Sequence, residues 1–323
     1  MEQRKIQITG GNSYIVSLPR EWVLATGLSK GDYVGVETNE DGSISVYPKA
    51  KERKKRRFVI ELTDSLTLNN RLLISKYLEG YDVIELVSSE RIQKDVRKEI
   101  IHTVQNLIGI EIFEETSNKF VLSTLIDFGS IRIEKILRRM IILTSSIFSE
   151  SLQALAEGNV EFAQEIIPRE DEVDKFYFHG IRELAEASRT PQILKSMGIN
   201  RSTDILSYLT ILKSIERISD YLIDILGLFI ESDHRVPQEV SAFGEKCNVI
   251  FKDVTDNLFT KDLKKANTFL DSLKDEEANV PNITKLEDTS MKGVTSYSKM
   301  VDYYLRITRH CANMSELTIN LAV

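Results

Sequence analysis

Hydrophobic and polar positions change period twice along this chain. Over the first fifty residues apolar positions come in short alternating runs, and 5–9, 14–18, 33–37 and 43–47 read as strands. Gly10-Gly11 and Asp41-Gly42 supply the positive backbone angles that tight turns need. Pro19 closes the second strand and favours a first helical turn, so the spacing predicts a short helix over 20–26, ended by Gly27. A β-β-α-β-β unit of this size buries too little to stand alone, which predicts an obligate homodimer with interlocking strands.

From residue 58 the runs lengthen and alternate in type. Strands are expected at 58–62, 82–87, 110–114 and 119–125, with helices at 65–78 and 89–108, closed by Gly80 and Gly109. That is a small two-layer α/β domain of β-α-β-α-β-β order, without a glycine-rich phosphate loop or a catalytic constellation.

From Ser130 the period becomes helical and stays so. Ile133, Ile136, Leu137, Met140, Leu143 and Ile147 mark one long helix, a second is expected over 166–187 and a third over 203–231. In the third, Tyr208, Ile211, Ile215, Ile218, Leu222, Ile225 and Phe229 fall at spacings of three and four, the seam of a bundle. The pattern recurs with a helix over 240–259, a shorter segment, and a last helix lined by Val301, Tyr304, Ile307, Cys311, Met314 and Leu321. Asn159-Val160-Glu161-Phe162-Ala163 also resembles Asp262-Leu263-Lys264-Lys265-Ala266. The expected fold is multidomain and mainly α: a β-rich unit over 1–50, an α/β domain over 51–128, and two three-helix bundles over 129–234 and 235–323.

Charge sharpens this division. Residues 1–57 hold eleven Lys/Arg against seven Asp/Glu, a net of +4, so the stated total of −7 leaves −11 on the rest. Much of the excess lies in the run from Lys49 to Arg57, KAKERKKRR, whose chemistry suits salt-dependent contact with phosphates. Cys247 and Cys311 make no disulfide framework, and no apolar run approaches the ~20 residues of a membrane span. A cytoplasmic protein with no membrane insertion is expected.

The candidate chemistry lies in the first bundle. Glu170 and Asp174 stand one helical turn apart, as do Glu216 and Asp220. If their helices form an antiparallel hairpin turning near Lys195, between Pro191 and Gly198, then Glu170 meets Asp220 and Asp174 meets Glu216. Four carboxylates at one level repel, which raises their pKa values and suits a multivalent cation. Against this stands a solvated charged face neutralised by Arg169, Lys175 and Arg217. His179 and His310 lie nearby as secondary candidates. In the second bundle Leu305 and Arg309 replace the corresponding acids, and Asp275-Glu276-Glu277-Ala278-Asn279 ends in Asn, so only the first bundle is expected to hold metal.

Two resemblances follow from these residues. Ile15-Val16-Ser17-Leu18-Pro19-Arg20 with Leu28-Ser29-Lys30-Gly31-Asp32 resembles the AbrB/SpoVT swapped-hairpin DNA-binding domain. Glu170-Asp171-Glu172-Val173-Asp174 and Glu216-Arg217-Ile218-Ser219-Asp220 resemble the paired motifs of the PhoU family, two three-helix bundles that can carry metal clusters. The whole chain is similar to archaeal PhoU-type phosphate-uptake regulators. The resemblance implies a dimeric, non-enzymatic, phosphate-responsive transcriptional regulator. DNA would be contacted by Arg4, Lys5, Arg20, Arg53, Lys54, Lys55 and Arg56, and iron, zinc or magnesium held by Glu170, Asp174, Glu216 and Asp220. The alternative it leaves is a signalling adaptor contacting a phosphate ABC transporter ATPase or a histidine kinase. A metal-dependent hydrolase lacks a nucleophile or a His-rich open site.

Overall fold

The computed structural model describes residues 3–11, 13–38, 42–48, 55–232, 236–278 and 291–323, and divides into two compact units, Met1–Lys55 and Arg56–Val323. In the first, β1 (Gln7–Thr9) pairs antiparallel with β2 (Ser13–Ile15), and β3 (Val34–Thr38) with β4 (Ile44–Pro48). Between the pairs lies α1 (Arg20–Thr26), which follows Pro19 and ends at Gly27 with φ 65°. The loop after it is held by Asp32, whose carboxylate accepts from the Ser29 N–H at 2.7 Å. β1 and β2 are shorter than the sequence suggests, three residues each. None of the unit's described side chains is buried, and Ile8, Tyr14, Leu24, Tyr33 and Val36 are exposed.

The second unit opens with the expected α/β domain: β5 (Arg57–Glu61), α2 (Leu66–Leu78), β6 (Val83–Val87), α3 (Lys94–Gln105), β7 (Ile110–Glu115) and β8 (Lys119–Thr124). The sheet order is β5-β6-β8-β7, with β5 and β6 parallel and the other pairs antiparallel. Ile60, Ile84, Leu86, Phe120 and Leu122 pack on Leu73 and Tyr77 of α2 and on Ile100 and Val104 of α3. α3 starts five residues later than its periodicity suggests. Ile92 is buried from the preceding loop, where its N–H donates to the Ser117 carbonyl at 2.8 Å, so it joins the core without being helical.

Helices follow: α4 (Ile133–Glu157), α5 (Val160–Ile166), α6 (Glu170–Ala187), α7 (Pro191–Ser196), α8 (Asp204–Glu231), α9 (Gln238–Thr260), α10 (Leu263–Ala278) and α11 (Met291–Ala322). The continuous helix expected over 166–187 is instead interrupted by a 3-10 turn, Ile167–Arg169, because Pro168 has no N–H to extend the preceding helix. The loop expected around Lys195 is the short helix α7. The two similar pentapeptides begin corresponding helices by related means. Asn159 caps α5 by accepting from Phe162 N–H, and Asp262 accepts from the N–H groups of Lys264 and Lys265 at the start of α10.

α8 packs against α4 and α6 on one side and along α11 on another, while α4 also meets α9. The two helical groups therefore share one core, in which Ile147, Phe148, Ile215, Leu222, Phe251, Tyr304 and Ile307 are buried together. Among the described residues no helix is long and apolar enough to cross a membrane.

Arg182 of α6 ties the helices to the α/β domain. It is 2 % exposed, donates to the carbonyls of Tyr77 and Tyr81 (2.5 and 2.9 Å) and to Thr124 Oγ1 (3.0 Å), and lies over the rings of Tyr77 and Phe128. Replacing it with Leu keeps the packing volume but strands those acceptors. Arg182→Leu should therefore cost about 3 kcal/mol, read as a lowered midpoint in urea unfolding of the full chain.

Candidate metal centre

α6 begins directly after the 3-10 turn Ile167–Arg169, and its first turn carries Glu170, Asp171 and Glu172, where the helix dipole favours negative charge. One turn further, Asp174 lies on the same face as Glu170. α8 passes α6 close enough that a Cβ on Gly180 would come within 2.8 Å of Leu212. This approach sets α6 against the stretch of α8 that carries Glu216 and Asp220.

Glu170, Asp174 and Asp220 come together, each offering a carboxylate oxygen within 4.8 Å of the others. The antiparallel register read from the sequence is the one that makes this meeting possible. Glu216 is adjacent, 8 % exposed, but lies outside that trio: one oxygen accepts from Lys213 Nζ at 2.5 Å, and the other is 3.7 Å from Arg217 Nε. Arg217 also donates to Asp220 at 2.8 Å.

Burial chiefly, then the neighbouring charges of Asp174 and Asp220, pushes Glu170 up to about 8. Burial, with Glu216 and Asp220 close by, pushes Asp174 up to about 7. Burial also raises Glu216, against the opposing pull of Lys213. Asp174 Oδ1 and Glu216 Oε2 are both buried acceptors without a hydrogen bond.

The neutralising residues differ from those suggested by sequence neighbours. Arg169 turns away to Glu150 and Ser146, and Lys175 pairs with Glu172 at 2.6 Å. Only Arg217 of that group faces the cluster, joined by Lys213, which the sequence reading missed. Its spacing of three from Glu216 on the same helix was the available signal. Four carboxylates thus face two cations, and two buried oxygens lack donors. Hard oxygen ligands, two of them orphaned, fit a divalent cation such as Mg²⁺, Mn²⁺ or Fe²⁺.

Neither histidine belongs to the trio. His179 is buried with both ring nitrogens unpartnered, and burial together with the Arg182 charge lowers it to about 4. His310 is lowered by burial and by Arg217 and Lys213, and its ring lies against Tyr221. In the second helical group Leu305 packs on the core and Arg309 is exposed. The side chains of Asp275 and Glu277, and all of Asn279, lie outside the described residues.

Of the basic residues expected on DNA, Arg4, Lys5 and Arg20 are exposed on the first unit, and Lys55 is exposed at its end. Arg53 and Lys54 lie outside the described residues. Arg56 belongs to the second unit, where it donates to the Glu79 carbonyl at 2.8 Å and stacks over Tyr81.

A mainly helical, multidomain protein with a carboxylate cluster between two helices of one bundle is the class this architecture defines. Comparison with protein families places the chain further. Residues 137–228 match the PhoU domain, spanning α6, most of α4 and α8, and the whole carboxylate cluster. Residues 7–54 match "Antidote-toxin recognition MazE, bacterial antitoxin", the stretch that carries the AbrB/SpoVT resemblance. The chain therefore carries a PhoU domain in its helical body and a MazE/AbrB-like domain at its N-terminus. Among solved structures it is similar to the phosphate transport system regulatory protein PhoU from Streptococcus pneumoniae, with 16% identity and a TM-score of 0.49, covering 58% of this chain and 92% of that one. It is also similar to PhoU from Pseudomonas aeruginosa, with 17% identity, a TM-score of 0.44, and coverage of 58% and 94%. No curated protein matches the sequence.

The raised carboxyls make a sign-definite prediction for the metal-free protein. Between about pH 4 and 8 the folded state keeps protons on Glu170 and Asp174 that the unfolded chain releases. The associated stability is complete below the ordinary carboxyl range and is lost as pH rises through about 7 to 8. In EDTA, thermal melts should show Tm falling from pH 5 to pH 8. Asp174→Asn should flatten that slope.

Proposed function

We propose that this protein is a dimeric, phosphate-responsive regulator. Its N-terminal unit dimerises and binds DNA, and its PhoU domain holds a divalent cation between α6 and α8. The four-part division into 1–50, 51–128, 129–234 and 235–323 is the organisation we assign to it. The observation that carries the metal reading is the half-buried trio of Glu170, Asp174 and Asp220, beside which Asp174 and the adjacent Glu216 each keep a buried oxygen that accepts no hydrogen bond. Such groups are costly unless a cation or a proton satisfies them. The phosphate reading rests on the PhoU domain match and the resemblance of the two acidic motifs.

Dimerisation is supported by the exposed apolar side chains of the first unit, whose two-stranded sheets bury nothing among the described residues. Isolated two-stranded ribbons are marginal in water, and a second copy would cover these side chains. DNA contact is then expected from Arg4, Lys5 and Arg20, with Arg53, Lys54 and Lys55 tracking phosphates from the linker. Arg56 is committed to Glu79 and Tyr81 and takes the lesser part. This activity belongs in the cytoplasm, and no enzymatic step is assigned. A second reading keeps the head as a dimeriser only, with the body contacting a phosphate transporter ATPase or a histidine kinase.

Elemental analysis tests the metal. Glu216→Ala with Asp220→Ala should strip bound metal from the full chain, and Asp275→Ala with Glu277→Ala should leave it. A cation at a hundredfold excess over its Kd should stabilise the wild type by about 2.7 kcal/mol and the first variant negligibly. Equal loss from both variants would overturn the asymmetry, and a metal-free wild type would overturn the site.

DNA binding is tested by salt titration of the full chain on its own promoter. The slope of log K against log salt should shallow by about one for each phosphate contact removed. Neutralising Arg4, Lys5 and Arg20 together should abolish binding while light scattering still reports a dimer. A wild type that never binds would leave the adaptor reading.

A further inference from the structure

The four-stranded sheet has two edges, and they differ in kind. β7 is blunted: a bulge between Ile112 and Glu114 breaks its register, and Glu111, Glu114 and Glu115 are exposed along it. A second strand of the same sequence would meet like charges there. β5 has neither a bulge nor a proline, and among the described residues no strand lies beyond it.

The hydrogen bonds to β6 fix which backbone groups of β5 remain. Leu62 N–H donates to the Val87 carbonyl at 2.8 Å, and the Arg56 carbonyl accepts from Val83 N–H at 3.1 Å. Even-numbered residues of β5 therefore face β6. Arg57, Val59 and Glu61 turn their N–H and C=O groups outward. Their side chains are also exposed, while Ile60 is buried on the helix side and Phe58 packs against that core. The edge thus reads cation, valine, anion, with the charges equally spaced about Val59.

We propose that β5 pairs antiparallel with β5 of a second copy of this chain about a two-fold axis at Val59, joining two four-stranded sheets into one of eight. Only odd residues face outward, so Val59 meets Val59 and Arg57 meets Glu61 of the second copy on both sides of the axis. All three pairs are of the hydrogen-bonded kind, giving two main-chain bonds each. The strand is self-complementary in charge and in hydrogen-bond parity, as an isologous contact requires. Glu85, which faces Arg57 at 3.7 Å, is already paired with Lys119 at 2.6 Å, so Arg57 can turn to Glu61 of the second copy without stranding it. β5 begins two residues after the first unit ends. The dimerisation proposed for that unit, on which the inference rests only for raising local concentration, would make this pairing intramolecular within the dimer.

The test uses the full chain with Val59→Cys. Cys247 and Cys311 are both fully buried, so the new thiol is the accessible one. A hydrogen-bonded antiparallel pair sets Cα atoms about 5.5 Å apart, within disulfide range, so mild oxidation should yield a covalent dimer. Phe113→Cys on the other edge should cross-link at least about tenfold more slowly, although it shares the same head. In the Val59→Cys background, Arg57→Glu and Glu61→Arg should each slow cross-linking several-fold, and the two together should restore it. Cross-linking at Val59 no faster than at Phe113, or a double swap no better than the single ones, overturns the proposal. A dimer by light scattering with no Val59 cross-link would sink the β5 contact and leave the head dimer standing. A monomer would remove both.

Discussion

The wide apolar circumference of α8 constrains the rest of the helical body. Ile211, Ile215, Ile218, Leu222, Ile225 and Phe229 are all fully buried, and so are Leu212 and Leu226 on a different part of the surface. A helix buried on more than one side must be covered from several directions, and α4, α6 and α11 supply that cover. Glu216 and Asp220 lie on the same helix. Once the apolar residues fix its rotation, Glu216 is buried and Asp220 is left half-buried. They meet Glu170 and Asp174, and burial outweighs the help from Lys213 and Arg217 in raising Glu216.

That arrangement links fold stability to site chemistry. The close passage of α6 at Gly180 brings the acids together, and mutual repulsion opposes it. A proton or a cation resolves the conflict, so the helix pair is a sensitive place to bind a charged species. The same α6 carries Arg182 one turn beyond His179, which fastens the α/β domain to the helices through Tyr77, Tyr81 and Thr124. One helix thus holds the acidic cluster near its N-terminus and the domain junction near its C-terminus.

Much of the candidate site was legible before the fold. The spacing of four within each acidic pair, together with breakers at Pro191 and Gly198, was enough to bring Glu170 opposite Asp220. Less legible was which cations approach. Arg169 precedes Glu170 in sequence yet reaches Glu150 on α4, because the 3-10 turn at Pro168 rotates it off the face of α6. For Lys213 the local sign was its spacing of three from Glu216 on the same helix, but only the packed helix shows that its long stem lies along that carboxylate.

Local rules determined the elements. Pro19 and Gly27 bound α1 at the residues expected, strands β5 to β8 follow their alternating runs, and the long helices follow their three-and-four spacing. These signals depend on backbone angles and on one buried face, both written in neighbouring residues. Tertiary structure decided what lies beyond one face: that α8 and α11 merge the two helical groups into one core, that Ile92 is buried from a loop, and that Arg56 leaves the basic run to lie on Tyr81. Each depends on residues far apart in sequence, whose contact energies appear only when the chain has closed on itself.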